Sequence, residues 1–188
     1  MFVFLLSLTV SMITGEASQC CVPPQFQTNI DTMTSLSSTM DKRFQTARFS
    51  YDAMSKKLRT HVVAQTKEDE FDRIEDFSAG KSFTWARGIC KVSSTGPFNQ
   101  ICIPDEAKLV RESFMGVSPN IIKLKTYMVT LENNMTELTT VGDNCTPIEM
   151  VSFSSKSPQP DGQFMRIFYN MSMGIKDSSI FTPPKICS

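Results

Sequence analysis

Apolar and polar residues alternate with a period of two along much of this chain, a pattern that predicts β-strands. The clearest example is the segment 163–173 near the C-terminus. One face of this predicted strand carries large, mostly apolar side chains: Met165, Ile167, Tyr169, Met171 and Met173. The other face carries Phe164 and Phe168. Apolar residues on both faces predict a central strand packed on both sides.

Similar alternation predicts strands over residues 23–33, with Phe26 and Ile30 facing inward, and over 44–51 and 57–64 around a tight turn. Further strands are predicted over 82–92, 121–131, 137–141 and 148–153. Within the last of these, the alternation slips between Met150 and Val151, which predicts a β-bulge. Segment 104–114 fits a helix or a strand and is left undecided. The prediction is an all-β fold of antiparallel strands.

The first residues of the chain indicate a secretory signal peptide. An apolar run within 1–13 is followed by Gly15 and Ala17, small residues that suit cleavage after residue 17. We therefore predict a signal peptide over 1–17 and a single domain over 18–188, in a secreted, extracellular or lysosomal protein. The 19 basic and 19 acidic residues balance, which argues against nucleic acid as a partner.

The chain contains six cysteines, all after the predicted cleavage site. An even number of cysteines in a secreted chain predicts disulfides, and spacing alone leaves their pairing open. A zinc site is disfavoured because there is no CxxC pair and only one histidine, His61. The cysteines are Cys20, Cys21, Cys90, Cys102, Cys145 and Cys187.

Motifs for catalysis are missing from the sequence. It has no GxSxG elbow, HExxH pair or glycine-rich phosphate loop, so we predict a protein that is not an enzyme. The acidic run 67–76 contains Asp69, Asp72 and Asp76, and two interpretations stay open: a calcium site or a solvated charged face. N-glycosylation patterns begin at Asn134, Asn144 and Asn170, and we favour the first and the last.

Several short motifs together resemble the ependymins and ependymin-related proteins. The C-terminal part of the resemblance consists of GIKD at 174–177, FTPP at 181–184 and Cys187. Other segments agree in order and spacing: Cys21 with PPQF at 23–26, SYD at 50–52, Cys90-Lys91, Ile103-Pro104 and DNCTP at 143–147. The resemblance covers nearly all of the chain after residue 17.

This resemblance implies a fold, a disulfide pattern and a homodimer. The fold would be two packed antiparallel sheets forming a curved half-barrel, similar to bacterial lipoprotein-carrier folds, with an apolar cavity between them. Cys90 would pair with Cys187, and either Cys20 or Cys21 with Cys145. The doubled N-terminal cysteine and Cys102 depart from the mammalian pattern, and Cys102 would pair with whichever of Cys20 and Cys21 is left over.

Two functional hypotheses follow. Fourteen phenylalanines and twelve methionines supply adaptable apolar groups, so the first hypothesis is a carrier that binds a fatty acid or other lipid. The alternative is a calcium-binding protein of cell–matrix adhesion, with calcium held mainly by glycans. The strands with the strongest apolar alternation are predicted to line the cavity, and Trp85 fluorescence to report its occupancy. The predicted lining is Phe83, Trp85, Ile122, Leu124, Met128, Met150, Phe153, Met165, Ile167, Tyr169 and Met171.

Overall fold

The computed structural model describes residues 20–36, 41–63, 70–131, 135–154 and 163–188. Its strands are β1 (Gln25–Leu36), β2 (Asp41–Asp52), β3 (Lys57–Val63), β4 (Phe71–Asp76), β5 (Lys81–Ala86), β6 (Ile89–Ser94), β7 (Lys108–Val117), β8 (Asn120–Thr130), β9 (Met135–Val141), β10 (Pro147–Ser154) and β11 (Gln163–Met173). Short 3-10 turns span Asp143–Cys145, Ser178–Phe181 and Lys185–Cys187. The prediction of an all-β fold is confirmed.

All the strands join one antiparallel sheet, in the order β6-β5-β4-β3-β2-β1-β11-β10-β9-β8-β7. Each half is a meander, and the pairing of β1 with β11 joins the halves into a continuous sheet. This makes β11 a central strand, as its apolar faces predict. The sheet is open, with β6 and β7 at its edges.

The sheet is strongly curved. Strands β4 and β9 lie six positions apart in the sheet order, which would separate them by about 29 Å in a flat sheet. Even so, Phe71 of β4 and Val141 of β9 line the same cavity. We call the side of the sheet that faces this cavity the cavity face, and the opposite side the outer face.

The cavity face carries a small apolar core at one end. Val22, Phe26 and Tyr51 are buried together there, and the rings of Phe26 and Tyr51 lie 5.4 Å apart. Phe98, from the segment between β6 and β7, stacks on Tyr51 with a centroid distance of 6.2 Å. The prediction that Phe26 faces inward is confirmed, and Ile30 lines the cavity beside this core.

The hairpin of β2 and β3 is confirmed. The Asp52 carboxylate accepts hydrogen bonds from the backbone N–H groups of Met54 (3.0 Å) and Ser55 (3.1 Å), which fixes the turn. Burial acts to raise the pKa of Asp52, but hydrogen bonds from Gln25, Ser55 and Met54 together outweigh it and hold the pKa below its usual value.

Three local predictions need correction or completion. The segment 82–92 is not one strand but the hairpin of β5 and β6, because Arg87 (φ 49°) and Gly88 (φ 77°) form a two-residue turn in the left-handed region. The undecided segment 104–114 extends into β7 from Lys108. The bulge of β10 falls between Pro147 and Glu149, and not between Met150 and Val151.

A further bulge changes the orientation of β11. Gln27 pairs with Ser172 and Asn29 with Tyr169, so β11 has one extra residue here, and Asn170 adopts φ 53°. Side chains after the bulge therefore change face. The prediction that the large side chains of β11 share one face is wrong. Met171, after the bulge, packs into the cavity-face core. Met165, Ile167 and Tyr169, before the bulge, lie on the outer face.

The C-terminal residues 175–187, which we call the strap, cover the outer face of β3 to β6. Gly174 adopts φ 79° where the chain leaves β11. The Arg59 Nη1 atom donates a hydrogen bond to the carbonyl oxygen of Ile180 (3.0 Å), and Phe181 is buried. A disulfide joins Cys187 to Cys90 of β6, as the family resemblance implied.

Candidate hydrophobic-ligand site

The curved sheet encloses a cavity of about 500 Å³, a volume typical of small-molecule sites. Apolar side chains make up most of its walls. One row of cavity-face residues crosses β4, β3, β2, β1 and β11 in register. We call it the apolar row: Phe71, Val62, Ala47, Ile30 and Phe168.

A short ribbon closes one end of the cavity. Residues 20–22 run antiparallel to residues 101–103: the Val22 N–H donates to the Ile101 carbonyl (2.9 Å), and the Ile103 N–H donates to the Cys20 carbonyl (2.7 Å). We call this ribbon the cap. Its side chains from both segments line the cavity, and it lies beside the core of Phe26 and Tyr51.

Two disulfides attach the cap to the rest of the fold. Cys20 pairs with Cys145, just after β9, and Cys21 pairs with Cys102 within the ribbon. The expected third pair is therefore confirmed, and the structure selects Cys20 as the partner of Cys145. Several motifs of the family resemblance, including Ile103-Pro104, meet at this closed end.

The opposite end of the cavity is polar. About 7 Å along the strands from the apolar row, the next cavity-face row crosses β2, β1, β11, β10 and β9. We call it the mouth row: Gln45, Thr32, Arg166, Met150 and Thr139. The cavity thus changes from apolar beside the cap to polar at its mouth.

Glu137 is the one acidic residue in the described wall of this cavity. It lies one row beyond Thr139 on β9. The hydroxyl groups of Thr139 and Ser152 donate hydrogen bonds to its two carboxylate oxygens, each at 3.3 Å. These donors compensate the carboxylate for partial burial.

Most of the predicted lining lies elsewhere. Only Met150 lines the cavity, and Met171 packs into the adjacent core. Strand register places the others on the outer face, so their assignment to the cavity is corrected. They are Phe83, Trp85, Ile122, Leu124, Met128, Phe153, Met165, Ile167 and Tyr169.

Contacts on the outer face explain two of these positions. The guanidinium of Arg59 lies 5.9 Å from the centre of the Trp85 ring, so Trp85 fluorescence is not expected to report cavity occupancy. The Tyr169 hydroxyl donates to Asp31 (3.0 Å), which also accepts from Thr46 (2.8 Å). This bond to Asp31, followed by partial burial, raises the pKa of Tyr169.

Sequence reasoning missed much of the actual lining. Phe168 and Phe164 were assigned to the opposite face of β11, which proves to be the cavity face. The alternation of Gln45, Ala47 and Phe49 in β2 carried a usable signal, because these residues share a face with Tyr51. The cap offered no periodic signal, since Ile101 and Ile103 lie outside any strand.

Acidic residues in the described part of the run 67–76 already lie beside basic side chains. Asp72 lies 2.7 Å from Arg59 Nη2 and 3.0 Å from His61 Nδ1, and Asp76 lies 3.0 Å from Lys57 Nζ. Asp69 lies outside the described residues. Within the described ranges, no group of three or more His, Cys, Asp or Glu side chains could hold a metal ion.

Of the two favoured glycosylation sites, Asn134 and Asn170, the structure describes only Asn170. Asn170 is exposed at the β11 bulge, which leaves its side chain accessible to a modifying enzyme. Asn134 falls outside the described residues, as does the predicted signal peptide. Among the described residues, no helix is long and apolar enough to span a membrane.

The fold and the site define a disulfide-bonded all-β protein with an apolar internal cavity. An Ependymin family model matches residues 65–187. The chain therefore belongs to the ependymin family, as its motifs indicated. Family and disulfides together fit an extracellular protein. A search of curated proteins found no match.

Two solved structures are similar to this chain at low sequence identity. An uncharacterized conserved protein from Thermus thermophilus is similar with a TM-score of 0.57 and 7% identity, over 86% of each chain. A LolA superfamily protein from Nitrosomonas europaea gives a TM-score of 0.44 and 9% identity, over 87% of this chain and 93% of that one. At such identities, the first similarity supports the fold alone.

Proposed function

We propose that this protein is a secreted carrier that binds a lipid non-covalently in the cavity of its curved sheet. The observation that carries this proposal is the cavity of about 500 Å³, which is apolar beside the disulfide-bonded cap that covers one end and polar at its mouth. Burying the apolar chain of a lipid there would contribute about 25 cal/mol per Å² of surface removed from water.

Catalysis has no support from the arrangement of side chains. His61, the one histidine of the sequence, lies on the outer face beside Asp72. The sheet separates it from the cavity, so it cannot act on a ligand held there. We therefore propose a binding function and no reaction.

Native mass spectrometry of the protein purified from its secreting cells tests this proposal. We expect a bound lipid mass that is lost on denaturation. Ala47 lies in the apolar row and faces the cavity, so Ala47→Trp should fill the space and lower the bound fraction. Val63→Trp, on the exposed outer face of β3, is the matched control. Folded wild-type protein that carries no lipid, and takes up none from vesicles, would refute the proposal.

We also propose that a second copy of the chain covers the hairpin of β7 and β8. This edge of the sheet exposes several large apolar side chains, among them Phe114 (69%) and Val117 (82%). Such apolar patches mark interaction sites. Sedimentation analysis should show a dimer that the double change Phe114→Glu, Val117→Glu converts to a monomer. A wild-type monomer at micromolar concentration would contradict this.

Calcium binding remains a proposal, with glycans as the main ligands. Asp72 and Asp76 already pair with cationic side chains, which opposes their use as calcium ligands. Enzymatic deglycosylation should therefore abolish calcium binding measured by calorimetry. If deglycosylated protein keeps micromolar affinity, the protein itself supplies the site.

A further inference from the structure

Arg166 is a cation in the wall of a largely apolar cavity. It sits at the centre of the mouth row, with Thr32 on β1 and Met150 on β10 as its neighbours in register. Its guanidinium lies 4.9 Å from the centre of the Phe164 ring, and Nη1 approaches the Met150 sulfur at 4.0 Å. Both contacts are with uncharged groups, so they leave the charge unneutralised.

The hydrogen-bonding capacity of this guanidinium is largely unused within the described part of the protein. Arginine has five N–H donors in a planar fork. Among the described residues, no carboxylate oxygen lies within 4.0 Å of Arg166, whereas Arg59 and Arg73 both have such partners. The side chain is exposed, so water solvates its free donors. An incoming anion could replace that water in a bidentate arrangement.

The surroundings of Arg166 are suited to a polar head group. Thr32, Gln45 and Thr139 share its row and add hydroxyl and amide groups. Only the apolar row and the core of Phe26 lie between this position and the cap. A molecule with its polar end at Arg166 would therefore extend an apolar chain toward the closed end.

This inference rests on the proposed function. We propose that Arg166 binds the anionic head group, a carboxylate or a phosphate, of a single-chain amphiphile. The alkyl chain of that amphiphile occupies the cavity. The guanidinium selects the head group, and the apolar row and cap hold the chain. Neutral amphiphiles of the same length bind more weakly because they cannot form a charge-assisted pair.

Glu137 opposes an anion only weakly. It lies two strands and one row away from Arg166, which places the two residues on the order of 10 Å apart. Its carboxylate is already hydrogen-bonded by Thr139 and Ser152. An anion held directly against Arg166 gains more from that contact than it loses to a charge at this distance.

Binding of three probes with the same chain tests the proposal: hexadecanoate, hexadecyl phosphate and hexadecan-1-ol, each titrated below its critical aggregation concentration at pH 8. Wild-type protein should bind at least one of the anionic probes about tenfold more tightly than the alcohol. Arg166→Gln should weaken binding of the anionic probes and so reduce this preference to about onefold. Arg166→Lys should retain part of it.

The matched control is Arg48→Gln. Arg48 is an exposed arginine on the outer face of the neighbouring region of the sheet, so its loss should leave the preference intact. Circular dichroism melting curves establish that each variant is folded.

The outcomes separate this inference from the proposed function. If wild-type protein binds acid, phosphate and alcohol equally, the head-group inference is wrong and lipid binding stands. If it binds none of the three probes, the proposed function itself fails. If Arg166→Gln misfolds, the wild-type comparison can still refute the inference, and Arg166→Lys, which should retain only part of the preference, still tests the role of Arg166.

Discussion

Removing the disulfide between Cys90 and Cys187 should destabilise the protein substantially. These residues are 97 positions apart, but the other two bridges shorten the covalent path to roughly 55 residues, because it can pass through the cap. Closing a loop of that length contributes about 4 kcal/mol in the chain-entropy model. We therefore expect the double change Cys90→Ser, Cys187→Ser to lower the free energy of unfolding by about 3 to 4 kcal/mol.

Removing this disulfide should also loosen the strap. Without its disulfide, it is held by Phe181 and by the bond from Arg59 to Ile180. Amide hydrogens of residues 178–187 should then exchange much faster, while those of β1 and β11 stay protected.

Equilibrium urea unfolding provides the assay, with the cap disulfides kept oxidised. Ile186→Ser is the matched control because Ile186 is half exposed in the same 3-10 turn, and we expect a loss below about 0.5 kcal/mol. A loss below about 1 kcal/mol for the disulfide variant, with an unchanged m-value, would refute the assignment of the strap as a covalent anchor.

Three other predictions concern the cap, a turn and the mouth. Cys20→Ser with Cys145→Ser should speed dissociation of bound hexadecanoate at least fivefold in stopped-flow measurements, with little change in the circular dichroism spectrum; unchanged release would contradict a closing role for the cap. Burial acts to raise the pKa of Asp76, but hydrogen bonds, led by that from the Ala79 N–H, outweigh it and lower the pKa. Asp76→Asn should therefore lower the free energy of unfolding by about 1 kcal/mol at neutral pH. Because the pKa of the folded-state carboxylate is lowered, this loss should begin to shrink only as the pH falls below about 4, and it should vanish once the pH is below that lowered pKa. A loss that keeps its full size as the pH is lowered to about 2 would be inconsistent. Glu137→Gln should tighten hexadecanoate binding about twofold, and weaker binding would indicate that the carboxylate contacts the ligand.

The strands were predictable because their signal is local. Alternation in segments such as 44–51 and 121–131 depends only on one buried face, and the turn at 52–55 is marked by an aspartate that caps its own backbone. The turn at Arg87-Gly88 was missed because arginine seldom adopts a positive φ. A single missed turn merged two strands into one.

Which face of each strand meets the cavity could not be read from local sequence. The extra residue at Asn170 reverses the orientation of β11 within one strand, and periodicity assumes that orientation is constant. The strap supplies a second apolar environment on the outer face, so Phe83 and Trp85 are apolar without facing the cavity. Strong alternation identifies a buried face but does not say what buries it.

The site itself depends on contacts between distant segments. Cys20 and Cys21 are adjacent, and only the arrangement of the cap shows which of them reaches Cys145. Nothing in the local sequence singles out Arg166. Its importance emerges when register places it in one row with Thr32 and Gln45 at the mouth of the cavity.

The central claim is that lipid occupies the cavity face of the sheet, and photo-crosslinking tests it most directly. A hexadecanoic acid analogue with a diazirine near the end of its chain would be bound, irradiated and mapped by peptide mass spectrometry. We expect labels on residues near the closed end, such as Ile30, Phe49 and Ile101, and competition by unlabelled hexadecanoate. Labels confined to outer-face residues such as Ile167 and Trp85, or labelling that excess hexadecanoate does not reduce, would contradict the account.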